Sequence, residues 1–411
     1  MAIFTSMMGF TAQAQTVAFP GAEGFGALAT GARGGSVYHV TNLEDGGAGS
    51  FRDAVSKPNR TVVFDVSGVI KMNDKIKAEA NLTIAGQTAP GGGVVLYGNG
   101  ISFSGNTIVR YMRFRGSMAM ARGACSVAAD DLSDIIFDHV SIEWGRWDNL
   151  HVKDSKNITF QYCIIGEGID PQRFGSLMEG PTDITVHHCL WIDNQSRNPK
   201  AKAVIEYTNN VVYNWGSGGF IGGHSEADHY QDVLNNYFIA GPSSSGKFIT
   251  LFTATDHVYQ KGNYVDGNKD GQLNGRPVDD SDFVTATATV LKQKSTHSKI
   301  PVTMDDAAAA YQKVLDNAGD NFFKDVVDAR LKSDLRSLGA KGLIIKADNE
   351  SGGQPVIESI KGKTDTDGDG MPDEWEKKNG LNPADASDGN GNKLSKIYTN
   401  LEMYINGLVT K

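Results

Sequence analysis

Short apolar segments divided by turn residues fill residues 62–266, and no amphipathic helical pattern interrupts them. Three of these segments read alike: DIIFDHVSIEWG from Asp134, NITFQYCIIGEG from Asn157 and DITVHHCLWIDN from Asp183. Their starts are 23 and 26 residues apart. Such a period predicts repeats that each bury one face against a neighbour. Weaker copies begin at Ala203, Tyr230 and Asp256.

Each copy holds two short strands with a small or polar residue between them, which fits one coil of a parallel β-helix with a bend inside it. Equivalent residues then stack from coil to coil, so we interpret Cys163 and Cys189 as buried residues of a stack rather than as metal ligands. A β-propeller would need longer, four-stranded repeats. The pattern therefore predicts an all-β fold, a parallel β-helix. The predicted bend residues are Cys163, Cys189, Asn210, Asn236, Gly262 and Asn263.

The composition changes after Asp279. The segments DDAAAAYQKVLDNAG and FKDVVDARLKSDLRSL have helical spacing, and we expect them to pack on or cap the β-helix. A Gly-rich linker, ESGGQP, precedes the C-terminal stretch. The predicted organisation is a signal-peptide remnant over 1–15, a β-helix domain over 16–280, a helical extension over 281–350 and a small module over 363–411.

The first residues, MAIFTSMMGFTAQAQ, end in an Ala-Gln-Ala sequence that fits a secretory cleavage site. No later apolar run is long enough to span a membrane. The three cysteines have no CxxC spacing, which predicts neither a disulfide framework nor a zinc site. We therefore expect a secreted or periplasmic protein, and a monomer.

The stretch DTDGDGMPDEWE from Asp365 matches the EF-hand calcium loop at its ligand positions, with Gly370 at the sharp turn. So many carboxylates repel one another unless a cation neutralises them, so the sequence predicts bound Ca²⁺. A second stretch, DASDGNGNKLSKIYTN, is the weaker candidate because it lacks an acid at the last ligand position. The predicted ligands of the first loop are Asp365, Asp367, Asp369, Met371 (by its carbonyl), Asp373 and Glu376; the second offers Asp388, Asn390 and Asn392.

The formal net charge of −9 argues against nucleic acid as a general partner. Within this acidic chain, the stretch DNQSRNPKAK from Asp193 gathers one arginine and two lysines around Pro199. Such a local cluster of positive charge suits an acidic ligand, and the overall negative charge of the protein does not account for it.

The repeats, together with GSFRDAV, LTIAGQTAPGGGV, IIFDHVSIEWG and SRNP, resemble the pectate lyases of polysaccharide lyase family 1, in the form common among gut Bacteroidetes. The resemblance covers roughly residues 17–268. It implies a right-handed parallel β-helix that cleaves a pectic polysaccharide, polygalacturonate (homogalacturonan), by β-elimination, usually with calcium. This reaction removes the C5 proton of a uronate and expels the O4 glycoside, so cations must stabilise an enolate-like transition state.

The resemblance gives roles to the basic loop. Arg197 matches the family's catalytic base, Lys202 matches a cation that binds a substrate carboxylate, and Lys200 lies between them. Arg173 falls where the family has a substrate-binding lysine. Because arginine is normally protonated, the base role needs the neighbouring cations to favour its neutral form, which predicts activity at alkaline pH. Otherwise Arg197 stays charged and only stabilises the transition state.

The resemblance also implies a groove calcium held by carboxylates on successive coils. This chain departs from that pattern, because Gly123 and Cys125 stand where we would align acids and His151 stands near another acid's place. Asp148 is the candidate for a groove ligand. Further candidates are Asp130 and Asp131, whereas Asp138 and His139 match the family's strand motif and are predicted to be structural.

The missing acids leave alternatives open. A calcium-independent pectin lyase, or a related uronate-polymer lyase, would use Arg146 in place of an acid and line its groove with Trp144 and Trp147. A non-catalytic glycan-binding β-helix is a second alternative, although the intact Arg197-to-Lys202 motif argues against it. A glycosidase would need a pair of groove carboxylates, and none is evident in the sequence.

Overall fold

Short β-strands dominate the computed structural model, which describes residues 16–410; the predicted signal-peptide remnant lies outside the described residues. The strands within this range are β1 (Ser36–Val40), β2 (Arg60–Phe64), β3 (Gly68–Lys71), β4 (Ile76–Lys77), β5 (Leu82–Ala85), β6 (Val94–Tyr97), β7 (Ile101–Ser102), β8 (Thr107–Arg110), β9 (Arg113–Arg115), β10 (Val127–Asp130), β11 (Ser133–Asp138), β12 (Ser141–Glu143), β13 (Asp148–Lys153), β14 (Lys156–Gln161), β15 (Ile164–Gly166), β16 (Phe174–Glu179), β17 (Thr182–His187), β18 (Leu190–Ile192), β19 (Lys200–Lys202), β20 (Val204–Thr208), β21 (Val211–Tyr213), β22 (Gly218–Ile221), β23 (His229–Leu234), β24 (Tyr237–Ile239), β25 (Lys247–Thr250), β26 (Asp256–Lys261), β27 (Tyr264–Asp266), β28 (Arg276–Pro277) and β29 (Thr289–Val290).

The strands form three long sheets, and successive coils add one strand to each. The eleven-stranded sheet has the order β1-β2-β5-β8-β11-β14-β17-β20-β23-β26-β29. The ten-stranded sheet runs from β3 through β6, β9, β12, β15, β18, β21, β24 and β27 to β28, and the eight-stranded sheet from β4 through β7, β10, β13, β16, β19 and β22 to β25. Pairing is parallel except between β27 and β28. The prediction of a parallel β-helix is confirmed.

The sequence pattern missed the third strand of each coil. Each repeat was expected to hold two strands, and these are the strands of the eleven- and ten-stranded sheets. Strand β19 is only three residues long, and β13 and β16, although six residues long, interrupt their apolar positions with polar or small residues, so these strands lack the apolar run that marks the other two. They build the eight-stranded sheet.

The bend residues stack as predicted. The backbone N–H of Cys163 donates to Sγ of Cys189 at 3.4 Å, and the N–H of Cys189 donates to Oδ1 of Asn210 at 3.0 Å. The amide ladder continues to Asn236 at 2.8 Å and Asn263 at 2.9 Å. Each stacked side chain therefore satisfies a backbone donor that the bend removes from the sheets.

Helices occupy the connections and the C-terminal third. They are α1 (Phe51–Ala54), α2 (Asp280–Thr285), α3 (Ala307–Asn317), α4 (Val326–Arg336), α5 (Asp373–Asn379) and α6 (Asn400–Gly407), with short 3₁₀ turns at Phe25–Leu28, Gly86–Thr88 and Asp348–Ser351. None of the helices described is both long and apolar enough to cross a membrane.

The two helices predicted after Asp279 are confirmed as α3 and α4, and both pack on the ten-stranded sheet. Val314 of α3 and Leu331 of α4 are buried in one cluster with Leu190 of β18. Helix α6 packs on the other side, where Leu401 belongs to a cluster with Ala85 of β5. Strand β29 carries the eleven-stranded sheet past the predicted boundary at residue 280.

Candidate active site

The eight-stranded sheet presents the basic residues on its outer face. In β19, Ala201 is buried while Lys200 and Lys202 on either side are partly exposed, because side chains alternate along a strand. Lys200 lies beside Leu177 of β16, which lies beside His151 of β13. Three neighbouring coils therefore contribute side chains to one outward surface.

Arg197 lies in the turn between β18 and β19, where it bonds to a buried acid on an earlier coil. Its Nη1 donates to both carboxylate oxygens of Asp148, at 3.0 and 3.2 Å. The Asp148 side chain is 0% exposed and that of Arg197 is 19% exposed. The guanidinium also lies 4.2 Å from the ring centroid of Phe174, a cation–π contact. The side chain of Arg197 is thus fixed from two sides.

The backbone places Arg197 in a conformation that few residues adopt. Its φ is +63°, in the left-handed region, where a residue with a Cβ is strained. The N–H of Ser176 donates to the Arg197 carbonyl at 2.8 Å. A Cβ at Gly175 would lie 2.3 Å from that carbonyl oxygen, so the close approach requires glycine. The adjacent strand β16 therefore holds the turn in place.

Burial and mutual charge alter the ionisation of this cluster. Burial raises the pKa of Asp148 to about 6, against the opposing effect of Arg197 and His151. Burial, then Lys202 and Arg197, lowers the pKa of Lys200 below its ordinary value. Lys200 and Asp148 are thus the two members of the cluster whose ionisation this environment changes.

The other two predicted substrate-binding residues are held in loose ion pairs. Lys202 lies 3.6 Å from Glu179, and Arg173 lies 3.3 Å from Asp170. All four side chains are at least one-quarter exposed, so these pairs contribute little stability and are open to exchange with a ligand. The carbonyl of Arg173 accepts the N–H of Gln195, which places Arg173 at the start of the Arg197 loop.

The groove does not gather the acids that a calcium ion would need. Both oxygens of Asp148 are occupied by Arg197, and Asp130 is paired at 2.8 Å with Nδ1 of His151. Gly123 and Cys125 line a cleft of about 390 Å³ beside these residues, and neither supplies a carboxylate. Within residues 16–410, groups of three or more potential metal ligands occur only in the C-terminal module. The protein side chains near Arg197 therefore do not fit a calcium ion.

The three residues of the calcium-independent alternative, Trp144, Arg146 and Trp147, differ in exposure and contacts. Arg146 donates to the carbonyls of Met118, Met120 and Asp170, so it ties two loops together. Trp144 is fully buried, whereas Trp147 is 37% exposed and lines the cleft. Only Trp147 is placed to meet a ligand.

The strand-motif residues are buried in a structural cluster. Asp138 is 1% exposed and accepts from Nε of Arg110 at 2.7 Å, and His139 bonds to its other oxygen at 2.7 Å. Burial alone would raise the pKa of Asp138, but His139 and Arg110 outweigh it and lower that pKa well below its ordinary value. Asp131 has φ +54°, as in a turn.

The C-terminal module brings most of its predicted ligands together. Asp365, Asp367 and Asp369 place carboxylate oxygens within 4.8 Å of one another. Burial, followed by neighbouring carboxylates, raises the pKa of Asp369 to about 7 and that of Glu376 to about 8. Two uncompensated carboxyl groups of this kind fit a cation site.

Two other residues of the predicted loop have other contacts. The carboxylate of Asp373 accepts from the N–H and the hydroxyl of Thr366, at 2.8 and 2.9 Å. Met371 is buried in the cluster beneath α6, and its N–H donates to Asp369. The ligand roles of Asp373 and Met371 remain predictions.

Sequence reasoning missed the residues that support Arg197. Phe174 and Gly175 follow Arg173 directly, at the start of strand β16, whose sequence FGSLME has no regular alternation that would have marked it as a strand. The bond between Asp148 and Arg197 joins residues 49 apart in the chain, and no local pattern could reveal it.

Comparison with known proteins identifies the family. No protein-family model matches the chain. The probable pectate lyase C of Aspergillus fumigatus is 43% identical over 401 residues, which is 96% of this chain and 94% of that protein. The probable pectate lyase C of Aspergillus flavus is 42% identical over 411 residues, covering 98% and 96% of the two chains. The chain belongs to the pectate lyase family.

Solved structures, one of them a pectate lyase and one a pollen allergen, share the fold. The thermostable pectate lyase PL 47 superposes with a TM-score of 0.55 at 14% identity, over 75% of this chain and 98% of its own. The cedar pollen allergen jun a 1 superposes with a TM-score of 0.52 at 17% identity, over 72% and 92% of the two chains. At these identities the likeness concerns the β-helix alone.

Proposed function

We propose that this member of the pectate lyase family cleaves polygalacturonate by β-elimination, with Arg197 as its catalytic residue. The observation that carries the proposal is the bond from Arg197 to buried Asp148, on the same outward surface as Lys200 and Lys202. A row of cations on one face suits an acidic polymer. We also propose that the protein belongs to polysaccharide lyase family 1, in the form common among gut Bacteroidetes. We further propose that it is exported to reach its substrate.

The reaction needs positive charge near the uronate carboxylate. A base takes the proton from C5, a double bond forms between C4 and C5, and the C4–O4 bond breaks to release the glycoside. The developing enolate spreads charge over the carboxylate, and fixed cations stabilise it. Lys200 and Arg197 supply such charges, and Lys202 and Arg173 exchange their pairs with Glu179 and Asp170 for neighbouring uronates.

The bond to Asp148 bears on how arginine could serve as the base. A guanidinium can accept a proton only after losing one, and an ordinary aspartate is a poor acceptor. Even with its pKa raised by burial to about 6, Asp148 remains a far weaker base than a neutral guanidine, so it does not take the proton. Arg197 instead loses its first proton to solvent, which alkaline pH favours, and Asp148 positions the side chain as it accepts the C5 proton.

A second candidate is calcium-independent cleavage of pectin or a related uronate polymer. The observation that favours it is the absence, within residues 16–410, of an acid cluster beside Arg197. We therefore propose that calcium binds in the C-terminal module. No step of the elimination is assigned to a calcium ion held by side chains of the groove.

The test follows the ultraviolet absorbance of the unsaturated product on polygalacturonate and on highly methylated pectin, with and without chelator. The parent protein should generate absorbance, and Arg197→Ala should lower kcat at least about hundredfold, as loss of a general base does. Arg276→Ala, at an exposed pair with Asp282, is the matched control and should keep full activity.

Three results would redirect the proposal. Polymer binding without absorbance indicates a glycan-binding protein, and chain cleavage without absorbance indicates hydrolysis. Full activity of Arg197→Ala removes Arg197 from the chemistry. Preference for methylated pectin in the presence of chelator selects the second candidate.

A further inference from the structure

Two separate loops of the C-terminal module contribute to one acidic cluster. Asp365, Asp367 and Asp369 come from the loop before α5, Glu376 from α5 itself, and Asp388 from the loop between α5 and α6. The oxygens of the first three lie within 4.8 Å of one another, as do those of Asp369, Glu376 and Asp388. Because Asp369 belongs to both groups, the five carboxylates form one continuous cluster.

The buried oxygens of this cluster point to a missing positive charge. Glu376 is 0% exposed, and neither of its carboxylate oxygens has a hydrogen-bond partner within the described residues. Asp369 is 3% exposed and its Oδ2 also lacks a partner, as does Oδ1 of Asp388. Burying carboxylates without compensation is strongly unfavourable, and a coordinated cation removes that cost.

The position of Asp388 differs from what the loop pattern predicts. The pattern gives the ninth ligand position to Asp373, but that carboxylate is bonded to Thr366 and lies 3.6 Å from Lys377. Asp388 instead supplies an oxygen beside Glu376. We propose that a single Ca²⁺-class ion is shared by Asp365, Asp367, Asp369, Glu376 and Asp388, so that it joins the two loops.

The ligand chemistry selects the class of ion. The cluster offers carboxylate oxygens, which hard cations prefer. Calcium accepts six to eight oxygens in flexible geometry, whereas magnesium needs near-ideal octahedral geometry and keeps several waters. Five converging carboxylates on two loops match the larger ion.

The ion stabilises the contact between this module and the start of the β-helix. A Cβ at Gly370 would lie 3.2 Å from Val37 of β1, so the loop packs closely on that strand. Nδ2 of Asn390 donates to the Gly35 carbonyl at 3.1 Å, next to β1. This contact is made by the eleven-stranded sheet, whereas Arg197 lies beside the eight-stranded sheet. The ion therefore acts on stability and not on the elimination.

The test uses the full chain, freed of metal with chelator and titrated with Ca²⁺ by calorimetry, with thermal unfolding in parallel. We expect one ion per chain and a Tm that rises with Ca²⁺. Asp388→Asn and Glu376→Gln should each weaken Ca²⁺ binding by about tenfold or more, because the loss of a residue that only supports a metal ligand already lowers metal affinity by that factor. Asp385→Asn is the matched control in the same loop, because Asp385 is exposed and bonds only locally to Ser387.

Loss of binding in these variants is distinct from loss of folding. Asp388→Asn and Glu376→Gln each remove a repelling charge, so their metal-free forms should unfold at the same temperature as the metal-free parent or higher. Unchanged affinity in Asp388→Asn, two independent ions per chain, or no binding by the parent would each overturn the proposal. Arg197→Ala should bind Ca²⁺ like the parent, so the outcome is separate from that of the proposed activity.

Discussion

The residues around Arg197 show how one side chain is fixed by neighbours on other coils. Its φ of +63° is costly, and the carbonyl bond to Ser176, the glycine at 175 and the ion pair with Asp148 compensate for it. The same left-handed conformation recurs on other coils, for example at Asp183, so it belongs to the coiled fold, and the contacts of the side chain distinguish Arg197. Substitution of Gly175 would therefore disturb Arg197 without removing any group that meets a substrate.

The ionisation of Asp148 gives a prediction about pH. Because burial raises its pKa to about 6, Asp148 is protonated below that pH and no longer forms an ion pair that positions Arg197. We expect kcat/KM for polygalacturonate to fall as pH drops through about 6. Asp148→Asn should lower kcat/KM roughly hundredfold and abolish this acid limb. The measurement is a pH–rate profile from pH 4.5 to 9.

A second group, His151, could also make kcat/KM fall at acid pH, and a control variant tests this. His151 lies near Asp148, and its hydrogen bond to Asp130 raises its pKa above the ordinary value. His151→Gln should keep the acid limb that Asp148 causes. An acid limb that survives in Asp148→Asn but disappears in His151→Gln would assign the titration to His151 instead.

Single elements differ in how well the sequence predicts them. The successive strands β14 and β15 follow from the apolar segment NITFQYCIIGEG, and α3 follows from its spacing and from Asp306, which accepts the N–H of Ala309 as an N-cap. Strand β19 did not follow, because only its middle residue is buried. The same strand carries two predicted site residues, Lys200 and Lys202. The basic motif therefore identified these side chains, although the hydrophobic pattern did not predict the strand that carries them.

Helix α4 is attached to the ten-stranded sheet by a buried ionic network, which gives a prediction about stability. Arg115 of β9 donates to Glu143 at 3.0 Å, to Asp325 at 2.6 Å and to Asp328 at 3.0 Å, and its side chain is 0% exposed. Asp325 also caps α4. Arg115→Met leaves Glu143 without its ion-pair partner and Asp325 with Arg113 alone, so it should lower the free energy of unfolding by about 3–5 kcal/mol. Urea denaturation measures it.

The control for this prediction is an exposed ion pair. Arg276 bonds to Asp282 at 2.7 Å, but its side chain is 54% exposed. Arg276→Met should lower the free energy of unfolding by less than about 1 kcal/mol. Equal effects of the two substitutions would show that the network under α4 contributes no more than a surface pair.

The whole molecule combines a net charge of −9 with a local basic surface. The sequence predicted the β-helix and the basic motif, because repeats and motifs are local. It did not predict that Arg197 would bond to Asp148, or that Asp388 would join the first acidic loop, because the coiling of the chain brings these residues together. Long-range proximity is thus the part of the site that required the structure.

This charge distribution leads to a prediction about salt. Attraction between exposed charges is screened beyond about 10 Å at 0.1 M salt, so an acidic polymer is drawn to the basic face only at short range. We expect the KM for polygalacturonate to rise severalfold between about 50 and 500 mM NaCl, on the scale of screened ionic attraction, with a smaller change in kcat. Steady-state kinetics on one polymer preparation measures both constants.

Variants on two faces decide whether the effect is local. Lys202→Gln should raise KM at low salt and flatten its salt dependence, because Lys202 is partly exposed on the groove face and held only by a 3.6 Å pair with Glu179. Lys378→Gln, at an exposed position of helix α5, removes the same charge from another face and should leave KM unchanged. If both variants raise KM equally, the polymer responds to the overall charge of the protein, and the basic surface around Arg197 has no special part in binding it.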